Sequence, residues 1–132
     1  MFAGKMGCFM PMFLLPENVA RQDGFGSDCA LGSERGKPLQ LTLGITRTME
    51  QESLEISVWG SSDNRDWKLL QVFPQKFYCG TYPLVLDLGG YPEVRYLRGG
   101  WKMNRWGQGD SVPLFGFYLM AEEATLQAVG AA

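Results

Sequence analysis

The middle of the chain alternates between apolar and polar residues with a period of two, and this pattern constrains the fold more than any other feature. Residues 39–46 read LQLTLGIT and residues 54–59 read LEISVW, so an apolar side chain occurs at every second position. Successive side chains of a β-strand point to opposite faces of the sheet. The pattern therefore predicts two strands that each bury one face in a core.

Further strands are predicted in the segments that lie between turn-forming residues. These segments are 67–73, 82–88, 94–103 and 114–120, and the last is apolar on both of its faces, which is typical of a strand covered on both sides. Only residues 122–129 have a helical pattern, and they fit a final strand followed by a loose tail equally well. At 132 residues the chain suits one domain. We therefore predict an all-β fold, an antiparallel β-sandwich or jelly roll with an N-terminal extended arm.

Composition divides the chain into three parts. Residues 1–16 form an apolar arm, residues 17–38 a Gly-rich connector, and residues 39–132 the predicted β-sandwich domain. The arm carries four of the seven methionines and shows no clear periodicity. Its apolar side chains need a partner, so we expect it either to fold back over its own domain or to pack against a neighbouring subunit.

The composition excludes several classes of function. The chain has no histidine, and its three cysteines, Cys8, Cys29 and Cys79, contain no C-x-x-C spacing, which argues against the common nucleophilic triads and zinc sites. We therefore predict no enzyme activity and no cofactor. A net charge of −2 argues against a nucleic-acid partner. The cysteines are either free thiols or form a disulfide within or between chains.

Targeting features are also weak. No segment approaches the roughly 20 apolar residues of a membrane span. The apolar start of the chain is interrupted by Pro11 and lacks a clean cleavage site, so no cleaved signal peptide is expected. We expect a cytoplasmic protein or a component of a virion-like or other assembled particle.

Carboxylates occur in three places where a site is conceivable. Asp63 and Asp66 lie in one loop, but further acidic positions of a calcium loop are missing, so turn formation is the favoured interpretation. Glu50 with Glu52, or Glu122 with Glu123, form pairs of the type used in glycoside hydrolysis, but nothing in the sequence places either pair across a cleft.

Two motifs resemble a known group of proteins. Residues 54–67 contain the turn S-S-D-N-R-D-W, and residues 94–101 contain R-Y-L-R-G-G-W. These resemble the S-x-D-G-x-x-W turn and the R-Y-x-R-x-x-W strand of discoidin-like sandwiches and of small phage or prophage-type β-sandwich proteins, although Asn64 replaces the glycine. The resemblance covers roughly residues 39–122 and implies a fold rather than an activity. It implies that Ser61, Asp63 and Asn64 close the turn and that Trp67 caps the edge of the core.

Basic and aromatic residues are interleaved near the end of the predicted 94–103 strand. Such residues dominate protein interfaces, and they also stack on sugar rings and bond sugar hydroxyls. The cluster has three interpretations: ordinary packing at the sandwich edge, a partner interface, or a sugar site. Its candidate contact residues are Arg95, Arg98, Trp101, Arg105 and Trp106.

The sequence thus predicts a non-enzymatic structural subunit that assembles with itself, as in a virion, tail, filament or shell. The predicted contacts use the apolar arm and the 114–120 strand, because these side chains exceed what a small sandwich is expected to bury. The candidate interface residues are Phe2, Met6, Phe9, Met10, Met12, Phe13, Leu14, Phe115 and Phe117. The alternative function is a carbohydrate- or cell-surface-binding module.

Overall fold

The computed structural model describes residues 11–33, 35–106 and 112–124. The regular structure in these ranges consists of strands and one 3-10 turn at Leu88–Gly90. The strands are β1 (Met12–Ala20), β2 (Gly24–Phe25), β3 (Cys29–Ala30), β4 (Pro38–Arg47), β5 (Glu52–Ser61), β6 (Lys68–Val72), β7 (Gly80–Asp87), β8 (Tyr96–Arg105) and β9 (Phe115–Glu123).

The strands form two antiparallel sheets. The first sheet has the order β1-β9-β4-β7, and the second has the order β2-β8-β5-β6, with β3 also paired to β8. The pairing is nested along the chain, because β1 pairs with β9, β2 and β3 with β8, β4 with β7, and β5 with β6. The predicted all-β sandwich is confirmed, whereas the finer prediction of a jelly roll stays a prediction.

The core lies between the inner faces of the two sheets. The alternating residues of β4 and β5 point into it as predicted, and β9 contributes its own alternating set. The side chains that the three strands bury are Leu39, Leu41, Leu43, Ile45, Leu54, Ile56, Val58, Phe115, Phe117 and Leu119. Burial of these apolar surfaces is the main stabilising contribution to the fold.

The sandwich begins earlier in the chain than the sequence predicted. Strand β1 runs through the expected boundary at residue 16, and the expected connector contains β2 and β3, which pair with β8. Within the described residues the sandwich therefore starts at Met12 and not at Leu39. Residues 1–10 and 125–129 lie outside the described part. Glu122 and Glu123, predicted to begin either a helix or a final strand, end strand β9.

Candidate binding surfaces

The predicted cluster of basic and aromatic residues does not form one surface. Arg98 and Trp101 stand on opposite faces of β8, because their separation of three positions is odd. The Trp101 ring lies 5.6 Å from the ring of Phe117 between the sheets, and its indole Nε1 donates a hydrogen bond of 2.7 Å to the carbonyl of Gln22. Trp101 therefore packs between the sheets, on the opposite side of β8 from Arg98.

Arg98 is held between two aromatic rings on the outer face of the second sheet. Its guanidinium carbon lies 4.4 Å from the centroid of Phe25 and 4.4 Å from that of Trp67. Cation–π contacts of this kind fix the orientation of the guanidinium. Its Nε is buried without a hydrogen-bond partner, so the stack also holds a desolvated donor. The Trp67 ring thus packs on Arg98.

The other three candidates of this cluster are spread along the molecule. Arg95 is exposed before β8, and its amide donates to the carbonyl of Ser61. Arg105 is half-buried at the far end of β8, where its Nη1 lies 3.2 Å from the sulfur of Met49. Trp106 follows β8 and is 53% exposed. Among the five candidates of this cluster, only Trp106 therefore presents an exposed aromatic ring to solvent.

Trp106 lines a cleft at one end of the sandwich, called here the end cleft. Three connections meet there: the β4–β5 turn, the segment between β6 and β7, and the segment after β8. The cleft has a volume of about 510 Å³ and is lined by Thr48, Met49, Glu50, Gln51, Glu52, Phe77, Tyr78 and Trp106. A volume of this size is typical of sites for small ligands.

Aromatic side chains form the apolar wall of the end cleft. The ring of Phe77 lies 6.2 Å from that of Trp106, in an edge contact, and 6.3 Å from that of Tyr78. Tyr78 is 74% exposed. Paired backbone bonds of 2.9 Å between Lys76 and Leu54 attach this segment to β5 and so position both rings.

Glu52 connects the polar segments of the end cleft through hydrogen bonds. Its side chain is buried, and one carboxylate oxygen accepts bonds from the Thr48 hydroxyl and the Met49 amide at 2.9 and 2.8 Å. The other oxygen accepts a bond of 3.0 Å from the amide of Leu114, just before β9. Gln51 completes the turn with a left-handed φ of 60°. Glu52 is therefore a structural acid that joins two loops.

The end cleft was only partly predicted from the sequence. Trp106 was a candidate, whereas Met49, Phe77 and Tyr78 were not, because they lie in segments without a periodic pattern. A concentration of large apolar side chains in turn segments is unusual, since such segments are normally polar. These apolar side chains in turn segments were the feature of the sequence from which the site could have been predicted.

A second surface lies on the outer face of the first sheet, beside β1. Phe13, Pro16, Glu17, Tyr118 and Met120 line a groove of about 390 Å³, called here the sheet groove. Phe13 is 51% exposed, and its ring meets the Tyr118 ring edge-on at a centroid distance of 5.9 Å.

A glycine on β4 fixes the position of one wall of the sheet groove. The Tyr118 ring lies directly on Gly44, where a β-carbon would collide with the ring. Gly44 therefore allows the tyrosine to lie flat across the sheet, with Phe13 on its edge.

The predicted interface residues are corrected by the structure. Met12, Leu14, Phe115 and Phe117 are buried in the core of one chain, with exposed fractions of 6%, 1%, 0% and 1%. They need no second copy for their burial, because both sheets of the same chain cover them. Phe13 alone among the described interface candidates is exposed. Phe2, Met6, Phe9 and Met10 lie outside the described residues.

The turn after β5 has the hydrogen bonds that the resemblance implied. The Ser61 hydroxyl accepts bonds from the amides of Asp63 and Asn64, and Asn64 has a left-handed φ of 63°. One oxygen of Asp63 accepts bonds from the amides of Arg65 and Asp66 and from the Ser61 hydroxyl. The backbone bonds from Asp66 and Arg65, followed by the Ser61 bond, lower the pKa of Asp63. These bonds support turn formation over calcium binding.

The remaining polar and sulfur-containing groups provide no metal site in the described ranges. No group of three or more potential ligands converges there. Cys29 is buried in β3, Cys79 is exposed before β7 without a disulfide partner in the described part, and Cys8 lies outside it. Among the described residues no helix has the length and apolar character needed to cross a membrane.

Comparison with known proteins does not assign the chain to a family. No protein-family model matches it, and no curated protein matches it significantly. The resemblance to discoidin-like and small phage-type sandwiches therefore stays a prediction.

Proposed function

We propose that the chain is a non-enzymatic structural subunit that associates with copies of itself through the outer face of its first sheet, as in a virion, tail, filament or shell. The sheet groove carries this proposal, because its exposed Phe13 and its partly buried Tyr118 and Met120 form an apolar surface on the outer face of the sheet. Exposed apolar patches of this kind are characteristic of protein contact sites.

A continuous row of side chains crosses the outer face of the first sheet. Strand pairing places Phe13 beside Met120, Met120 beside Thr42, and Thr42 beside Pro83, so one row of side chains crosses all four strands. Val85, which lies two residues after Pro83 on the same face of β7, is also exposed. This row offers a neighbouring subunit a broad contact face. It therefore favours association through the whole face of the sheet and not through one small contact.

The edges of the first sheet favour contact through the face. Edge strand β1 contains Pro16 and two register shifts, and edge strand β7 contains Pro83. Proline cannot donate a backbone hydrogen bond, and an irregular edge strand pairs poorly with a new strand. Extension of the sheet by strand addition is therefore disfavoured, and the apolar face is the surface left for association.

Replacing Phe13 by serine should weaken self-association while the fold persists. An aromatic at the centre of an interface contributes about 2 kcal/mol, which corresponds to a roughly 30-fold rise in the dissociation constant. Light scattering after size-exclusion chromatography should give the wild type a mass above the 14.7 kDa of one chain and bring Phe13→Ser towards that mass.

Phe25 provides the matched control for this experiment. It is also a half-exposed phenylalanine, at 53%, but lies on the outer face of the second sheet. Phe25→Ser should keep the mass of the wild type. A wild type that stays a single chain across micromolar concentrations, or equal effects of both substitutions, would refute association through the first sheet.

A carbohydrate-binding module is the second candidate, and the end cleft specifically favours it. Its wall of Phe77, Tyr78 and Trp106 offers apolar ring faces, and Glu50 and Gln51 add groups that can bond hydroxyls. Sugar rings have both apolar faces and hydroxyl edges, which match this combination. None of the described lining residues is basic, so we propose a neutral sugar.

Alanine at Trp106 or Tyr78 should lower the affinity for a neutral polysaccharide about fivefold each, since each removes a stacking surface worth about 1 kcal/mol. Electrophoresis in native gels that contain a soluble β-glucan, xylan or mannan measures this as lost retardation. Phe25→Ala, equally exposed and outside the cleft, is the control. Unchanged migration of the wild type in all three gels would exclude these sugars as ligands.

A further inference from the structure

The direction of β1 bears on what covers the sheet groove. The groove runs alongside β1 from Phe13 to Glu17, towards the C-terminal end of that strand. The chain before Met12 leaves the sheet at the opposite end, where Met12 pairs with Ala121. Strand β1 therefore begins at the Phe13 end of the groove, and the groove extends from there along the strand towards Glu17.

Residues 1–10 have the composition of a segment that would fill the groove. Their sequence, MFAGKMGCFM, contains two phenylalanines and three methionines. Ten extended residues span about 33 Å, whereas a sheet of four strands is only about 14 Å wide. The segment is thus long enough to cross the outer face of the sheet from β1 to β7.

The geometry favours a second copy over the same chain as the source of this segment. To lie along its own groove beside β1, from Phe13 to Glu17, the chain would have to reverse immediately before Met12. A turn of four residues would occupy residues 8–11 and withdraw Phe9 and Met10 from the groove. A segment that arrives from another copy needs no reversal and keeps all five large apolar side chains available. Methionine and phenylalanine side chains also adapt well to an irregular groove.

We infer that residues 1–10 of one copy occupy the sheet groove of a second copy, and that the exchange is reciprocal. Each copy then contributes the same two surfaces, a segment and a groove, as a twofold dimer requires. This inference rests on the proposed self-association and assigns its contact. It also gives the apolar start of the chain a partner.

The native Cys8 offers a direct test on the full-length chain. In a background with Cys29→Ala and Cys79→Ser, a single new cysteine is placed at Glu17, which is exposed and lines the groove. Mild oxidation should join Cys8 of one copy to residue 17 of the other, which shifts the band on a non-reducing gel from 14.7 kDa to twice that mass. The control is Lys102→Cys, exposed on the outer face of the second sheet, which should stay at 14.7 kDa.

The outcomes separate this inference from the proposed association. A cross-link within one chain, seen as a faster monomer band, would show that the segment covers its own groove and would overturn the exchange. Equal dimer bands for Glu17→Cys and Lys102→Cys would overturn it as well, since they indicate random collision. An assembly that light scattering detects but that Glu17→Cys fails to trap would refute the exchange and leave association intact. A monomer in both measurements would end both proposals.

Discussion

Replacing Phe117 by alanine is expected to lower the free energy of unfolding by about 3–5 kcal/mol, because it leaves a cavity in the core of one chain. The side chain is 1% exposed, and its ring packs against that of Trp101. A domain of this size is stable by only about 5–15 kcal/mol, so the loss is a large fraction of the total. Urea unfolding followed by tryptophan fluorescence measures it.

The dependence on protein concentration distinguishes a core residue from an interface residue. If Phe117 stabilises a single chain, Phe117→Ala lowers the free energy of unfolding by the same amount at micromolar and at higher protein concentrations. The decrease would depend on concentration only if the substitution weakened the association between chains. Phe13→Ala is the matched control, since its half-exposed ring, which meets the edge of Tyr118, should change the free energy of unfolding of a single chain by only about 1 kcal/mol. A folded Phe117→Ala with unchanged stability and a smaller assembly would restore the interface role predicted from the sequence.

Strands and their inner faces were predictable because the information for them is local. In β4 and β5 the period of two assigns each side chain to a face, and the structure buries the expected ones. Residues 114–120 were apolar on both faces, and in the structure each of these faces contacts a different apolar surface. Phe115 and Phe117 point into the core, whereas Tyr118 and Met120 line the sheet groove.

The predicted interface was wrong at Met12 and Leu14 because strand β1 was not predicted from the sequence. The sequence from Met12 to Leu15 lacks alternation, so it was assigned to an arm without a partner of its own. In the structure β1 pairs with β9 through two register shifts, which turn the consecutive Leu14 and Leu15 both inward. Irregular pairing of this kind breaks the period of two and hides a strand from sequence analysis.

The binding surfaces were less predictable because they bring together distant parts of the chain. The end cleft combines Glu50, Phe77 and Trp106, which are far apart in sequence and meet only through the packing of three connections. The 95–106 cluster failed for the opposite reason. Neighbours in sequence on one strand point to opposite faces, so Arg98 and Trp101 are close in the chain but separated by the sheet.

Replacing Glu52 by alanine is expected to be the most damaging change at the end cleft. It leaves the amides of Met49 and Leu114 without their acceptor, at a cost of about 1–3 kcal/mol for each amide that remains buried. The β4–β5 turn and the segment before β9 then lose the side chain that joins them. Thermal unfolding of the variant should show a large decrease in the midpoint, because a domain of this size loses roughly 3–5 °C for each 1 kcal/mol.

The neighbouring Glu50 separates this structural role from a general effect of charge. Glu50→Gln removes one negative charge from the same turn, but the residue is exposed, so its effect should stay within about 0.5 kcal/mol. Glu52→Gln keeps one acceptor oxygen and should fall between the two. Hydrogen exchange at the amides of Met49 and Leu114 should accelerate in Glu52→Ala and not in Glu50→Gln. Equal stability of Glu52→Ala and Glu50→Gln would show that the two loops are held by other contacts, because the three hydrogen bonds to this carboxylate would then contribute nothing measurable.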